Sequence, residues 1–289
     1  MRTFSTTEGR FWLGIYALLC GGSVALALLI ALAHSVGAWA WPPSSGLDGR
    51  GWASLFTHAE FWRSLAYSAL VTAITLGVAV LSALLLSATL GAHLRHGWLA
   101  RALFVPLAVP PVVAALLAFV LLADSGLMSR VAFFFGWTAT PADFPSLLFE
   151  PAGYGIVLTH LAMITPLFVL LFERLAQTLR LPLLLLQAET LGASRRQAWQ
   201  HIALPLLLRQ ARPILTVYGA ALLGAYELPL LIGAPQPGMV SVTIARAVAG
   251  YDLTQHTTGY AMASVYLMIL VAVWAVFGAR RAMSGGSGL

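Results

Sequence analysis

The stretch from Leu65 to Leu90 reads LAYSALVTAITLGVAVLSALLLSATL and contains no charged residue. A bilayer core is about 30 Å thick, and a helix needs roughly 20 apolar residues to cross it. Because lipid offers no partner for backbone polar groups, we expect this stretch to be a helix that spans a membrane. Five further stretches meet the same criterion. The six predicted spans cover residues 11–33, 65–90, 102–123, 155–172, 214–232 and 259–277.

The composition supports this class of protein. Hydrophobic residues make up 60% of the 289 residues and charged residues 9%, and the mean hydropathy is +0.86. A water-soluble globular protein carries roughly 25% charged residues. We therefore expect an all-α integral membrane protein that forms a single transmembrane domain over residues 1–289, with a disordered Gly/Ser tail at about 282–289.

Several kinds of chemistry are excluded by composition. All sixteen basic residues are arginine, and without lysine the chain has neither a Schiff-base enzyme's amine nor the lysine of a phosphate-binding loop. The single cysteine, Cys20, excludes an internal disulfide and a multi-cysteine metal site. The net charge is +6, but the arginines form no stripe of the kind that binds nucleic acid. We predict no catalytic residue, metal site or cofactor site in this chain.

The arginines predict the orientation in the membrane, because cytoplasmic loops are enriched in basic residues. Twelve of the sixteen lie at the two termini and in the second and fourth connections between spans: Arg2, Arg10, Arg95, Arg101, Arg174, Arg180, Arg195, Arg196, Arg209, Arg212, Arg280 and Arg281. The alternate connections hold Arg50, Arg63, Arg130 and Arg246 together with most of the acids. Both termini are therefore expected in the cytoplasm.

Two outer segments each have more than one interpretation. Ala38-Trp39-Ala40 resembles a signal-peptidase site, but the apolar run before it, about 23 residues, exceeds the usual 7–15. We expect the first span to be retained. Residues 127–137 predict a short interfacial helix with an aromatic face, which serves either as a membrane anchor or as a ligand site.

The longest inner connection runs from Glu173 to about Pro213 and predicts a helix, a sharp break and a second helix. Residues 183–191 have helical composition, and Gly192 can adopt the positive φ that closes a helix. Ser194 and Gln197 match a capping box that opens the next helix. Ala198 and Ile202 would then share a face, and Pro205 would end or kink the helix. We call residues 183–205 the knuckle.

The knuckle resembles the "EAA" motif of the permease subunits of bacterial ATP-binding-cassette (ABC) importers. That pattern is Glu-Ala-Ala, three residues, Gly, nine residues, Ile, one residue, Leu-Pro, and Gly192, Ile202 and Leu204-Pro205 occupy its positions. The Glu-Ala-Ala start is replaced by Leu186-Gln187-Ala188, and Glu189 lies three positions after the missing glutamate. The similarity extends over about residues 62–277. The segment Gly224–Gly233 resembles the polyamine, thiamine and aminophosphonate-type branch.

The resemblance implies a type I importer in the bacterial inner membrane and a coupling helix that inserts into a partner ATPase. The residues carried over to this coupling role are Ala188, Glu189, Gly192, Ala193, Ser194, Arg195, Arg196, Ile202, Leu204 and Pro205. The implied partners are an ABC ATPase dimer that holds ATP and Mg²⁺, a second and different permease subunit, a periplasmic substrate-binding protein and membrane lipid. No nucleic acid is expected.

The candidate translocation pathway rests on Tyr226, Glu227, Pro229, Pro110 and Pro111. A carboxylate at membrane depth usually faces protein or water and marks a functional pathway; Glu227 either lines such a pathway or lies at the outer interface. Pro229 is expected to distort the fifth span beside it. Pro106, Pro110 and Pro111 either bend the third span around the same cavity or mark a helix start near the inner interface.

Two other functions remain open. An ion-coupled secondary transporter would carry several intramembrane carboxylates or matched broken helices, whereas Glu227 is the only clear candidate. A membrane-embedded enzyme would need a catalytic cluster at membrane depth, whereas most acids lie in outer loops. The favoured function is an importer permease that moves a small polar solute by alternating access.

Overall fold

The computed structural model describes residues 6–38, 49–94, 97–250 and 253–278, and this part of the chain contains helices and turns but no β-strand. The α-helices are α1 Thr6–Ser35, α2 Arg50–Thr57, α3 Ala59–Leu94, α4 Trp98–Ala102, α5 Pro111–Leu122, α6 Leu127–Phe134, α7 Tyr154–Thr178, α8 Leu181–Thr190, α9 Arg195–Ala198, α10 Leu204–Leu223, α11 Glu227–Ile232, α12 Val240–Ala249 and α13 Leu253–Gly278. Short 3₁₀-helices cover Pro106–Ala108 and Pro141–Asp143, and a π-helical turn covers Trp199–Ala203.

Six helical segments are long and apolar enough to cross a membrane, which confirms the all-α six-span prediction. They are Gly14–Ser35, Ala59–Thr89, Pro111–Phe134, Tyr154–Thr178, Arg195–Ile232 and His256–Val273. The chain is a multi-pass membrane protein. The orientation stays a prediction. Four of the arginines that predict it, Arg2, Arg95, Arg280 and Arg281, lie outside the described residues. So do the tail 282–289 and positions 39–40 of the segment that resembles a signal-peptidase site.

The chain divides into two compact units, and the single-domain prediction stays untested. The first unit comprises residues 1–62 and 243–272. Within it, the Ser54 and Thr258 hydroxyls, on α2 and α13, are 2.7 Å apart. Trp52 Nε1 donates to Ser35 Oγ at the end of α1, 3.0 Å away. These contacts thus join α2 both to the preceding helix, α1, and to α13, where the paired hydroxyls are 204 positions apart.

The second unit comprises residues 63–242 and 273–289 and holds two apolar clusters. The first cluster joins α3, α7, α8 and α10 through side chains such as Ala83, Phe168, Leu181 and Leu207. The second cluster joins the start of α3 with α5, α7 and α11. Its buried members are Val71, Ala115, Ala118, Leu148, Ile156, Leu228, Ile232 and Met239.

The third predicted span, 102–123, is wrong at its start. After α4 ends at Ala102 the chain forms a 3₁₀-helix from Pro106 and an extended residue, Val109, before α5 begins at Pro111. A proline lacks the N–H that an interior helix position needs, and it disfavours helix in the residue before it. The segment that is long enough to span runs instead from Pro111 to Phe134.

The predicted helix over 127–137 is present as α6, although it ends at Phe134. It continues the third apolar segment after a turn in which the Gly126 N–H donates to the Ala123 carbonyl over 2.7 Å. The exposed rings of Phe135 and Trp137 stack with centroids 5.6 Å apart. Whether this aromatic face lies at a membrane surface remains a prediction.

Candidate functional site

The knuckle begins where α7 turns into α8. The turn uses Leu179 and Arg180, and Arg180 adopts a left-handed conformation with φ 50°. Helix α8 then ends in a Schellman motif. The Gly192 N–H donates to the Glu189 carbonyl over 3.0 Å, and the Ala193 N–H donates to the Ala188 carbonyl over 3.0 Å. Gly192 has φ +92°, which confirms the glycine closure predicted from the sequence.

The second half of the knuckle opens with the predicted capping box. Ser194 Oγ accepts the Gln197 backbone N–H at 3.3 Å, and Gln197 Oε1 accepts the Ser194 backbone N–H at 2.9 Å. The two residues thereby satisfy helix-end donors that would otherwise have no partner. The break between the helices is therefore fixed by hydrogen bonds within about five residues of sequence.

The helix after the break does not end at Pro205, contrary to one expectation. Helix α9, the π-helical turn and α10 follow one another without interruption from Arg195 to Leu223, and Pro205 lies in the first turn of α10. The π-helical turn adds a residue, so Ala198 shares its buried face with Ala203, five positions on. Ile202, predicted as the partner of Ala198, is only half-buried.

The tip of the knuckle is apolar and basic, and it is highly exposed. Leu191 is 88% exposed, and the side chains of Glu189, Arg195 and Arg196 are exposed as well. Leu186, which stands where the EAA motif has its glutamate, is also exposed. The base of the knuckle is anchored by the buried side chains of Ala188 and Ala198. Of the other residues assigned to coupling, Leu204 and Pro205 are exposed and Ala193 is half-buried. The tip is thus a projecting surface on a fixed base.

The fifth span is broken, which confirms the predicted distortion, although the break precedes Pro229. Helix α10 ends at Leu223 and α11 begins at Glu227. In a continuous helix the N–H of residue 229 would donate to the Ala225 carbonyl, and Pro229 has no N–H. The Ser241 hydroxyl supplies the missing donor, with Oγ 2.5 Å from the Ala225 oxygen.

Ser68 secures the same region from α3. Its Oγ accepts the Val240 N–H, the first of α12, at 2.8 Å. The start of α12 therefore bonds both to α3 and to the break in the fifth span. We did not predict α12, Ser68 or Ser241 as part of the site. Pro229 signalled only that the Ala225 carbonyl would need another donor, and nothing in the sequence identified Ser241 as that donor.

The candidate pathway residues occupy two helix starts. Glu227 and Tyr226 are exposed at the start of α11, and Pro229 is buried in its first turn. Pro110 and Pro111 are exposed at the start of α5. Helices α5 and α11 pack against each other within the second cluster. Of the two interpretations of Pro106, Pro110 and Pro111, the structure thus supports a helix start. The pathway role of Tyr226, Glu227, Pro229, Pro110 and Pro111 stays a prediction.

A cavity of about 430 Å³ lies beside α5 and α7, and none of those five residues lines it. Its walls are Pro106, Val109, Ala114, Leu117, Ala118, Leu121, Leu122, Leu158, Thr159, Ala162 and Met163. Sites for polar ligands place a few polar groups among apolar walls. Here the Thr159 hydroxyl already donates to the Gly155 carbonyl, 2.7 Å away. The cavity is therefore poorly suited to a polar solute.

No group of three or more His, Cys, Asp or Glu side chains that could hold a metal ion occurs in the described part of the chain.

No protein-family model matches the sequence. No curated protein sequence matches it either.

Solved structures do match the fold. One is a chain of a bacterial alginate ABC transporter in complex with an alginate pentasaccharide-bound periplasmic protein: TM-score 0.68, 15% identity, 100% of both chains covered. Another belongs to a bacterial ABC transporter involved in the import of the acidic polysaccharide alginate: TM-score 0.65, 17% identity, covering 97% of this chain and 98% of that one. At such identities the likeness shows that the chain shares the fold of these transporter chains.

Proposed function

We propose that the chain is the permease subunit of an ATP-driven importer in a bacterial inner membrane, where it forms part of the path of a small polar solute. The observation that carries this proposal is the knuckle: a capped, rigid turn whose tip leucine, Leu191, is 88% exposed. The knuckle connects the fourth span to the fifth, and its second half is continuous with the fifth, in a fold shared with ABC transporter chains.

The knuckle has the properties of a docking surface. An isolated leucine on a projecting turn leaves apolar area in water, and a partner that covers it gains about 25 cal/mol per Å². Arg195 and Arg196 beside it favour an acidic rim on that partner. Since the chain contains no lysine for a phosphate-binding loop, ATP and Mg²⁺ belong to the partner ATPase.

The rest of the assembly follows from this role. With both termini in the cytoplasm, as the arginines favour, the knuckle faces the cytoplasmic ATPase dimer. A second, different permease subunit completes the pathway, and a periplasmic binding protein delivers the solute. ATP binding and hydrolysis then bias the pathway between outward-open and inward-open states through rigid-body movement of the knuckle.

We propose a polyamine-, thiamine- or aminophosphonate-like solute. Two features support this class: the Gly224–Gly233 segment and the exposed carboxylate of Glu227 beside the helix break, which favours a cationic or zwitterionic solute. The alginate in the two solved structures belongs to those proteins. Measuring which solutes the partner binding protein captures tests the class directly, and capture of an acidic polysaccharide alone would contradict it.

The coupling role is tested with Gly192→Pro in the complex reconstituted in proteoliposomes. Proline cannot adopt φ +92° and cannot donate to the Glu189 carbonyl, so we expect ATP-driven uptake to fall at least about tenfold while the protein remains in the membrane. Gly136→Pro is the matched control. Gly136 also has a positive φ, +71°, and its N–H donates to the Phe133 carbonyl, but it lies outside the knuckle.

Two results would overturn the proposed function. One is a purified particle in which the knuckle contacts no ATPase. The other is uptake driven by an ion gradient without ATP, which would support a secondary transporter. Equal loss of uptake in the Gly192 and Gly136 variants would show that backbone strain, and not docking, explains the effect.

A further inference from the structure

The end of α7 that leads to the knuckle contains a buried carboxylate. Glu173 is 5% exposed, and among the acidic side chains whose burial the structure describes it is the only buried one. Removing a charged side chain from water is costly, and such groups in membrane proteins are usually functional.

The carboxylate lies against a glycine of the second span. A Cβ on Gly91 of α3 would lie 2.8 Å from Glu173 Oε1, closer than real Cβ atoms approach other atoms. Gly77 on the same helix has open space around it, because apart from its chain neighbours and the backbone of its own helix no atom lies within 4 Å of its Cβ position. Gly91 is therefore the position at which α3 leaves room for the Glu173 side chain.

This contact lies where several helices meet. Phe172, the neighbour of Glu173, is fully buried in the first cluster together with Leu181 of α8 and Leu207 of α10. From Glu173 the helix continues for little more than one turn to Thr178, and α8 starts at Leu181. A displacement of the knuckle thus reaches Glu173 through packed side chains and a short, continuous length of helix.

We propose that Glu173, which packs against Gly91, is a positioning residue that links the end of α7, just before the knuckle, to the end of α3. Movement that the ATPase imposes on the knuckle then shifts the second span together with the fourth. This inference rests on the proposed function, since it assigns Glu173 to the same coupling pathway. Glu173 itself touches neither the solute nor ATP.

The first test is Gly91→Ala in the reconstituted complex, with Gly77→Ala as the matched control on the same helix. The added methyl group forces the carboxylate away from α3. We expect solute moved per ATP hydrolysed to fall roughly tenfold, with the basal ATPase rate within about twofold of wild type. The control variant should match wild type, because its methyl group enters open space.

The second test asks for rescue by a shorter acid. Asp at position 173 keeps the charge and withdraws it by one methylene, which makes room for the alanine. We expect Glu173→Asp alone to lower the coupling ratio and the double variant Gly91→Ala/Glu173→Asp to recover at least about half of it. A merely structural role would change the melting temperatures of these variants but leave the coupling ratio of the folded protein constant.

The outcomes separate this inference from the proposed function. If Gly192→Pro abolishes coupling while the Gly91 and Glu173 variants retain the wild-type ratio, the positioning role is wrong and the importer proposal stands. If wild type itself shows no ATP-dependent uptake, the proposed function fails first. Should Gly91→Ala not accumulate in the membrane, Glu173→Asp, which introduces no clash, decides alone: an unchanged ratio contradicts the role.

Discussion

The knuckle and the first apolar cluster are held together in opposite ways. The break in the knuckle is fixed by hydrogen bonds between residues close in sequence, such as Ser194 with Gln197. The first cluster is fixed by side chains from distant parts of the sequence, with Phe168 and Leu207 almost completely buried. Side chains at the tip therefore contribute little to the stability of the fold and remain free to bind a partner.

The largest effect that this comparison predicts is on stability. Phe168→Ala removes a fully buried ring, which lies 5.6 Å, centroid to centroid, from that of Tyr218. We expect a loss of about 3–5 kcal/mol in the free energy of unfolding, measured by thermal unfolding in detergent. Leu191→Ala, on the exposed tip, should stay within about 0.5 kcal/mol of wild type. Similar losses in both variants would contradict the comparison.

The next prediction concerns the solute pathway, which we place in the spans and not in the knuckle. Glu227→Gln keeps the shape of the side chain and removes its charge. We expect uptake of a cationic solute to fall about tenfold, the loss typical of one charge-assisted contact, with ATPase activity retained. Glu60→Gln, an exposed carboxylate in the first turn of α3, is the control. Unchanged uptake across solutes would remove Glu227 from the pathway.

The smallest effect tests whether the knuckle is stabilised locally. Ser194→Ala removes the cap and should cost about 1 kcal/mol in local opening, seen as faster hydrogen exchange of the amides in α9. The melting temperature of the whole protein should not change. Thr190→Ala is the control, because the Thr190 hydroxyl donates to the Gln187 carbonyl and caps nothing. Global destabilisation by Ser194→Ala would show that the knuckle depends on the remaining fold.

What the sequence could predict follows the same division. Gly192 and Ser194 act on neighbours in sequence, so the helix closure by Gly192 and the helix cap by Ser194 were predicted residue by residue and are found in the structure. Their coupling role stays a prediction. The six spans were predicted because length and apolarity decide membrane crossing. The prediction of the third span was wrong at its start. The effect of Pro106, Pro110 and Pro111 on the helix depends on where the chain finds substitute hydrogen bonds, which the local sequence does not show.

The remaining features depend on distant pairs. The bond of Ser241 to the Ala225 carbonyl and that of Val240 to Ser68 join residues 16 and 172 positions apart. No local pattern indicates which hydroxyl meets which backbone group. Helix α12 was missed for a related reason: with 10 residues it is too short for a span, and its start is secured by Ser68 of another helix.

The π-helical turn Trp199–Ala203 gives the chain a place where its length can change by one residue. Such a turn holds one residue more than an α-helical turn, and an α-helix rotates by about 100° with each residue. Deleting one residue between Trp199 and Ala203 would convert the π-helical turn into regular α-helix between α9 and α10. Because five π-helical residues and four α-helical residues each complete about one turn, Arg195 and Arg196 would keep roughly the same direction. A deletion inside the regular part of α10 would instead swing them by about 100° around the helix axis. The π-helical turn thus lets one residue be gained or lost without changing the direction in which these arginines face.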